Sequence, residues 1–443
     1  MHGYGVPVVP EAAAQRSPVG PRALLPLTLP ALVVGVAAAL VLLGISELAE
    51  VLEDLLWTTL PEALGVGRWS TGWMVAVLTA TGLAVGLVVW KVPGHAGHDP
   101  ATTGLVDPPI PPRVVPGLLL ASVLALAGGV SLGPENPITA ANIALAFWLG
   151  TKAFPHSPAD LWVALAAAGT VGALFGTPVA AALIVTESLV GRPAPGPPGQ
   201  GPGDGPGVSL WDQLFAPLVA GGAGAITTAL VADPAFQLNL PDYSDTEYSD
   251  LLGAMVIASA GAVLAMAAVY AFPWVHRAFR RLRHPVAMTA SGGVVLGLLG
   301  ALGGHLTLFK GLEQVKELTA DPDGWSAGGF ALMAVVKVAA LTVAAASGFR
   351  GGRIFPSVFA GVSLGLCAHA VVPQVHLALA VVCGVLGILM AITRQGWLSL
   401  FTAAVLASDI AVLPVLCLAS LPAWLIVSGR PLMQLHDDGT PVR

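Results

Sequence analysis

Ala127-Gly-Gly-Val-Ser-Leu-Gly-Pro-Glu-Asn-Pro137 sets one carboxylate, Glu135, between prolines, with glycines behind it and strongly apolar stretches on both sides. An ionisable side chain at membrane depth is costly and by default marks an ion or proton path. The prolines interrupt helical structure there, and a bilayer tolerates irregular backbone only where it is buried in protein or lines a cavity. Together these features point to transport.

The rest of the chain supports a bilayer setting. Of its 443 residues 55% are hydrophobic and only 10% charged, and the mean hydropathy is +0.81, outside the range of soluble domains. Apolar stretches cover roughly 24–53, 69–92, 113–132, 138–154, 160–190, 210–232, 250–275, 285–304, 327–347, 355–372, 375–392, 397–413 and 414–428. At roughly 20 residues per crossing there is room for about ten full or partial spans and no extramembrane domain. Many stretches are short or broken by Gly and Pro, which predicts tilted and re-entrant helices in an all-α polytopic membrane protein.

The net charge of −6 is spread thinly, so nucleic acid is not an expected partner. Cys367, Cys383 and Cys417 lie in apolar runs without Cys-x-x-Cys spacing, and neither a disulfide framework nor a metal centre is expected. No Walker-type loop is present, so ATP-driven transport and a cofactor are not expected either. The cluster His276-Arg-Ala-Phe-Arg-Arg-Leu-Arg-His284 should face the cytoplasm, as should the N-terminus.

A Gly/Pro-rich segment near the middle suggests two halves. The expected organisation is an N-terminal cytoplasmic segment 1–22, membrane repeat 23–190, linker 191–209, membrane repeat 210–435 and tail 436–443. A constant offset of 219 relates Ala127, Gly129, Gly133, Pro137, Ala141 and Leu145 to Ala346, Gly348, Gly352, Pro356, Ala360 and Leu364. Each copy reads as glycines leading into a helix with Pro in its first turn. The first amides of a helix lack intrahelical partners and sit at its positive dipole end, so two converging N-termini would make an anion site. The second copy adds two cations, Arg350 and Arg353.

At these residues the chain resembles the CLC family of chloride channels and proton/chloride exchangers, from about residue 24 to 435, with particular likeness to a bacterial ion-transport branch. Gly133-Pro-Glu-Asn-Pro137 is similar to the family's Gly-Arg-Glu-Gly-Pro motif, and Glu135 then matches its gating glutamate. Ser347-Gly-Phe-Arg-Gly-Gly-Arg-Ile-Phe-Pro356 is similar to the Gly-Gly-Ile-Phe-Ala-Pro segment. The resemblance implies an anion site at Pro134, Arg353, Ile354 and Phe355, with Arg350 a further candidate contact. Gly94-His-Ala-Gly-His-Asp-Pro100 stands in place of Gly-Ser-Gly-Ile-Pro, so Gly97 replaces the family's coordinating serine. Met433 replaces its central tyrosine. The internal proton-transfer glutamate aligns with Ser188, leaving Glu187 as the candidate relay.

The resemblance also implies an inverted repeat and a homodimer of independent paths in the cell membrane. Several readings stay open. Glu135 is a proton-controlled gate or a carboxylate capping the next helix; Glu187 is a relay or a charge facing water; each arginine contacts the anion, pairs structurally or snorkels. His95, His98 and Asp99 have a pore-entry or structural role, with a metal site the weaker reading. The expected function is movement of a small inorganic anion, chloride-like, through a path gated by Glu135. Alternatives are a proton-coupled antiporter, a carrier of fluoride, bicarbonate or nitrate, or a non-transporting scaffold. Enzymatic activity is not expected, since neither Ser131 nor Ser347 has a believable His/Asp partner set.

Overall fold

A computed structural model of the protein describes residues 21–190, 210–232, 238–243 and 248–443. The 191–209 linker and nearly all of the N-terminal segment lie outside the described residues. Helices α1 (Pro21–Asp54), α2 (Leu60–Leu64), α3 (Thr71–Lys91), α4 (Val115–Ala127), α5 (Glu135–Ala153), α6 (Ala159–Phe175), α7 (Pro178–Val190) and α8 (Leu210–Val231) form the first half. The second half holds α9 (Tyr248–Arg280), α10 (Pro285–Gly303), α11 (Leu312–Ala320), α12 (Ala327–Ala346), α13 (Ile354–Val371), α14 (Leu377–Thr393), α15 (Gly396–Ala407) and α16 (Leu413–Val427). The described residues contain no sheet, only isolated bridges. Among the described residues, seven helices are long and apolar enough to cross a membrane.

Most expected spans coincide with helices to within a few residues. The stretch 160–190 is an exception, divided into α6 and α7 because Gly176 ends α6 in the left-handed region, at φ +64°. The first span is another: α1 runs through a π-helical turn at Leu55–Thr59 into α2. The amphipathic α11 lies in none of the apolar stretches, because its sequence, Leu-Glu-Gln-Val-Lys-Glu-Leu-Thr-Ala, is half polar.

The halves meet where α3 crosses α10. Each presents a Gly-x₃-Gly face, Gly82 and Gly86 against Thr289 and Val286, Gly293 and Gly297 against Leu78 and Val75. A Cβ at any of the four would overlap the facing backbone or its nearest side-chain atoms. Apolar surface gains little by leaving lipid for another helix, so close backbone approach supplies the attraction instead. The crossing also brings Thr289 Oγ1 within 2.6 Å of the Gly82 carbonyl, to which it donates.

These contacts set the topology. Val75 meets Gly297 and Gly86 meets Val286, so α3 and α10 are antiparallel, and the C-terminus of α3 shares a side with the arginine cluster that ends α9. That side is cytoplasmic by the positive-inside rule. From its start at Glu135, α5 runs back toward this side, its Gly150 packing on Trp162 beside the first turns of α1. From Ile354, α13 runs the opposite way, its Phe359 packing on Gly311 next to α11. The two half-membrane helices therefore start near one point and diverge toward opposite faces, an inverted repeat.

Buried polar anchors hold the loops at that point. Trp57 Nε1 donates to the Ala127 carbonyl at 3.0 Å, and the Phe309 amide donates to the Gly129 carbonyl at 2.9 Å. Lys337, fully buried, donates to the carbonyls of Thr307, Leu308 and Phe309 at 3.0, 2.9 and 2.8 Å. Its charge is met by backbone dipoles, and those carbonyls are satisfied in return.

Candidate functional site

Gly133 and Gly352, equivalent under the 219-residue offset, form a reciprocal bridge. The Gly133 amide donates to the Gly352 carbonyl at 2.9 Å and the Gly352 amide to the Gly133 carbonyl at 2.7 Å. The pairing fixes the starts of α5 and α13 against each other. A Cβ on Gly133 would overlap Glu135 Oε2 and one on Gly352 would overlap Glu135 Cγ and Cδ, so bare backbone cradles the carboxylate.

Neither helix has a side-chain cap: Pro134 precedes α5, Arg353 precedes α13, and no hydrogen bond caps either from those positions. Pro137 and Pro356, each third in its helix, carry no N–H. The amides that lack an intrahelical carbonyl partner are thus those of the first two residues of each helix. Glu135, fully buried, turns into this gap, and its Oε1 accepts from the Ile354 amide at 2.5 Å, with the Phe355 amide beside it. Glu135 Oε2 is buried with no hydrogen-bond partner among the described residues.

The two arginines reach carbonyl groups. Arg350 donates to the carbonyls of His95, Ala96, Gly97 and Gly348 at 3.0, 2.8, 3.2 and 3.1 Å. Arg353 donates to the carbonyls of Met433 and Pro100. Each ties the 94–105 loop to the start of α13. Arg353 also faces the charges of Asp99, Asp107 and Glu135. Asp99, unexplained as a member of a His-x-x-His-Asp cluster, lies 3.8 Å from both His276 and Arg280.

The remaining candidates take different positions. Met433 is fully buried and lines a cavity with Ile354, Arg353, Thr393 and Gln395. Gly97 lines a neighbouring cavity, and its amide is used within its own turn, donating to the Gly94 carbonyl at 2.9 Å. Glu187 Oε1 accepts from the Trp397 amide at 3.2 Å, at the start of α15. Ser188 follows it in α7, with its side chain outside the described residues.

Residues not singled out from sequence complete the site. Asn136 Nδ2 donates to the Gly104 carbonyl at 2.9 Å, and the Gly104 amide donates to Asp107 Oδ2 at 2.9 Å. Gln434 Nε2 donates to the Thr102 carbonyl at 2.7 Å and the Leu435 amide to the Ala101 carbonyl at 2.8 Å. The segment after α16 therefore walls the loop. A polar residue directly after Glu135 was the one available signal; the others sit in loops whose sequence carries no motif.

Residues 81–428 match the family model described as voltage gated chloride channel. Relatives from Escherichia coli and Shigella boydii, each named "Putative ion-transport protein YfeO", are 47% identical over 415 residues, spanning 94% of this chain and 96% of theirs. In fold the chain resembles a CLC-type fluoride/proton antiporter, at a TM-score of 0.74 and 20% identity, covering 94% of this chain and 98% of that one. It also resembles a slow cyanobacterial Cl⁻/H⁺ antiporter, at 0.71 and 14%, covering 93% and 96%.

Proposed function

This chain belongs to the voltage gated chloride channel family and moves a small inorganic anion across the cell membrane as a multi-pass protein, and on that premise we propose that protonation of Glu135 opens its path. One observation carries the reading: the buried Glu135 carboxylate occupies the amides at the start of α13. Those amides, at the positive end of a helix, are where a free anion would bind. The carboxylate and the anion compete for the same donors. Protonation removes the carboxylate's charge, weakens its hold on Ile354 and leaves the amides to the anion.

The anion contacts on this reading are the first amides of α13, with Met433 and Gly97 forming walls without a hydroxyl. Each missing hydroxyl removes a hydrogen bond worth about 0.5–1.5 kcal/mol, enough to change preference among small anions. Arg350 and Arg353 hold the walls and contribute positive potential. The two repeats, 23–190 and 210–435, supply one helix N-terminus each, and a homodimer with one path per protomer is proposed from the family resemblance. A scaffold without transport would pass no anion in the assay below.

The test is efflux of chloride, fluoride, nitrate and bicarbonate from proteoliposomes with simultaneous pH recording. Wild-type flux should rise as pH falls, and Glu135→Gln should give flux independent of pH. An unchanged rate and unchanged pH dependence in Glu135→Gln would refute the gate. Proton movement against an anion gradient separates an exchanger from a channel.

A further inference from the structure

A gate that titrates from within the protein needs a proton supply, and the α7 segment offers little. Glu187 is engaged at the start of α15, and a serine at 188 does not ionise in the physiological range. The cavity beside the gate offers more. His98, Asp107, Asn136, Pro137, Arg350 and Gly351 are among the residues lining it. A second cavity shares Asn136 and Thr103–Leu105 with the first and reaches Ile354, the residue whose amide holds Glu135.

We propose that His98 and Asp107 form the cytoplasmic-side proton entry that serves Glu135. The inference rests on the reading of Glu135 as a titrating gate. His98 is exposed and lines the cavity, so it meets bulk water, while Asp107 is half-buried deeper in the same loop. Asp107 and Asn136 share one residue, since the Gly104 amide donates to Asp107 and the Gly104 carbonyl accepts from Asn136, each at 2.9 Å. Asp107 is thus one residue's hydrogen bonds away from the gate's neighbour.

The charges facing Asp107 are His98 and Arg353, with Arg350 lining the same cavity. The nearby carboxylate Asp99 is occupied with His276 and Arg280 instead. Burial lifts the Asp107 carboxyl above its ordinary range, against the pull of the Gly104 amide, His98 and Arg353. A carboxyl so placed holds its proton to a higher pH than an exposed aspartate does. His98 stands at the exposed mouth of the cavity, where its imidazole exchanges protons with water. The loop lies on the side of the membrane that carries the arginine cluster, as the contact of Asp99 with Arg280 shows. A proton passes from water to the His98 imidazole, from the imidazolium to the Asp107 carboxylate, and from the Asp107 carboxyl through water in the two adjoining cavities to the Glu135 carboxylate held at Ile354. Each donor returns to its starting form.

The experiment uses full-length protein in liposomes under a chloride or fluoride gradient, recording anion efflux and proton movement together. Asp107→Asn should lower the protons moved per anion by about 10²-fold, the low end of what a positioned proton carrier contributes. Asp107→Glu should restore the ratio. Where Asp107→Asn does not fold, the exposed His98→Gln carries the test, with fewer protons moved per anion than in the wild type. Wild-type protons per anion in these variants, or no proton movement in the wild type, overturns the proposal. Glu135→Gln is run alongside: loss of its pH response with intact coupling in Asp107→Asn removes the entry and keeps the gate, whereas an unchanged Glu135→Gln removes the gate itself.

Discussion

A methyl group at Gly352 would occupy the volume of the Glu135 Cγ and Cδ atoms. Gly352→Ala should therefore cost about 1–3 kcal/mol, as overpacking of a filled site does, and should displace the carboxylate. Thermal unfolding in detergent checks the first effect, and a raised flux at high pH checks the second. Arg353→Met should lower the unfolding temperature by a different route. It orphans the Met433 and Pro100 carbonyls, at about 1–3 kcal/mol for each buried group left unpaired. The roles of these residues were unequally legible in sequence. Glu135 stood out because a carboxylate in an apolar run has few explanations. The arginines allowed several readings, since nothing in Gly348–Pro356 reveals that loop carbonyls from residues 95–100 and 433 arrive beside them. Asp107 gave no signal, because an aspartate in a Pro-rich loop looks solvated.

At the scale of elements, helix positions were readable wherever composition changes sharply. Gly and Pro punctuate α4, α5, α12 and α13, and apolar runs define the rest. The break between α6 and α7 lies inside one apolar stretch, where Gly176 ends α6 in the left-handed region and Pro178 opens α7, the usual asymmetry of glycine after a helix and proline at the start of the next. Packing between elements was the least legible part, since Gly82, Gly86, Gly293 and Gly297 are ordinary residues in a chain with 53 glycines. Their partnership has a direct test. Gly293→Leu should prevent the α3–α10 crossing and abolish monodisperse protein in size-exclusion chromatography, whereas Gly222→Leu, where a Cβ meets nothing within 4 Å, should be tolerated.

At the scale of the molecule, the segment beyond α16 is a structural member of the site. Its backbone and Gln434 hold the 101–102 stretch, and the carbonyl of Met433 receives Arg353. Ending the chain at Ser428 should therefore eliminate flux even if the helices insert, a result that proteoliposome efflux together with protease protection would establish. The duplication is legible in the 219-residue offset, and its inversion follows from the family resemblance. The contact between equivalent residues Gly133 and Gly352 is not legible there, because an offset in sequence states likeness and says nothing of proximity.

The same offset joins Glu135 to Ile354, the residue that donates to it. A duplicated scaffold folded head to tail is blind to direction, presenting equivalent backbone to both compartments. Directionality must enter through positions where the copies differ, and among the differences at the shared helix start, Pro134, Glu135 and Asn136 against Arg353, Ile354 and Phe355, one sets a carboxylate against an aliphatic side chain. Exchanging them, Glu135→Ile with Ile354→Glu, should keep the scaffold and hand command of the flux to the compartment on the other side of the bilayer.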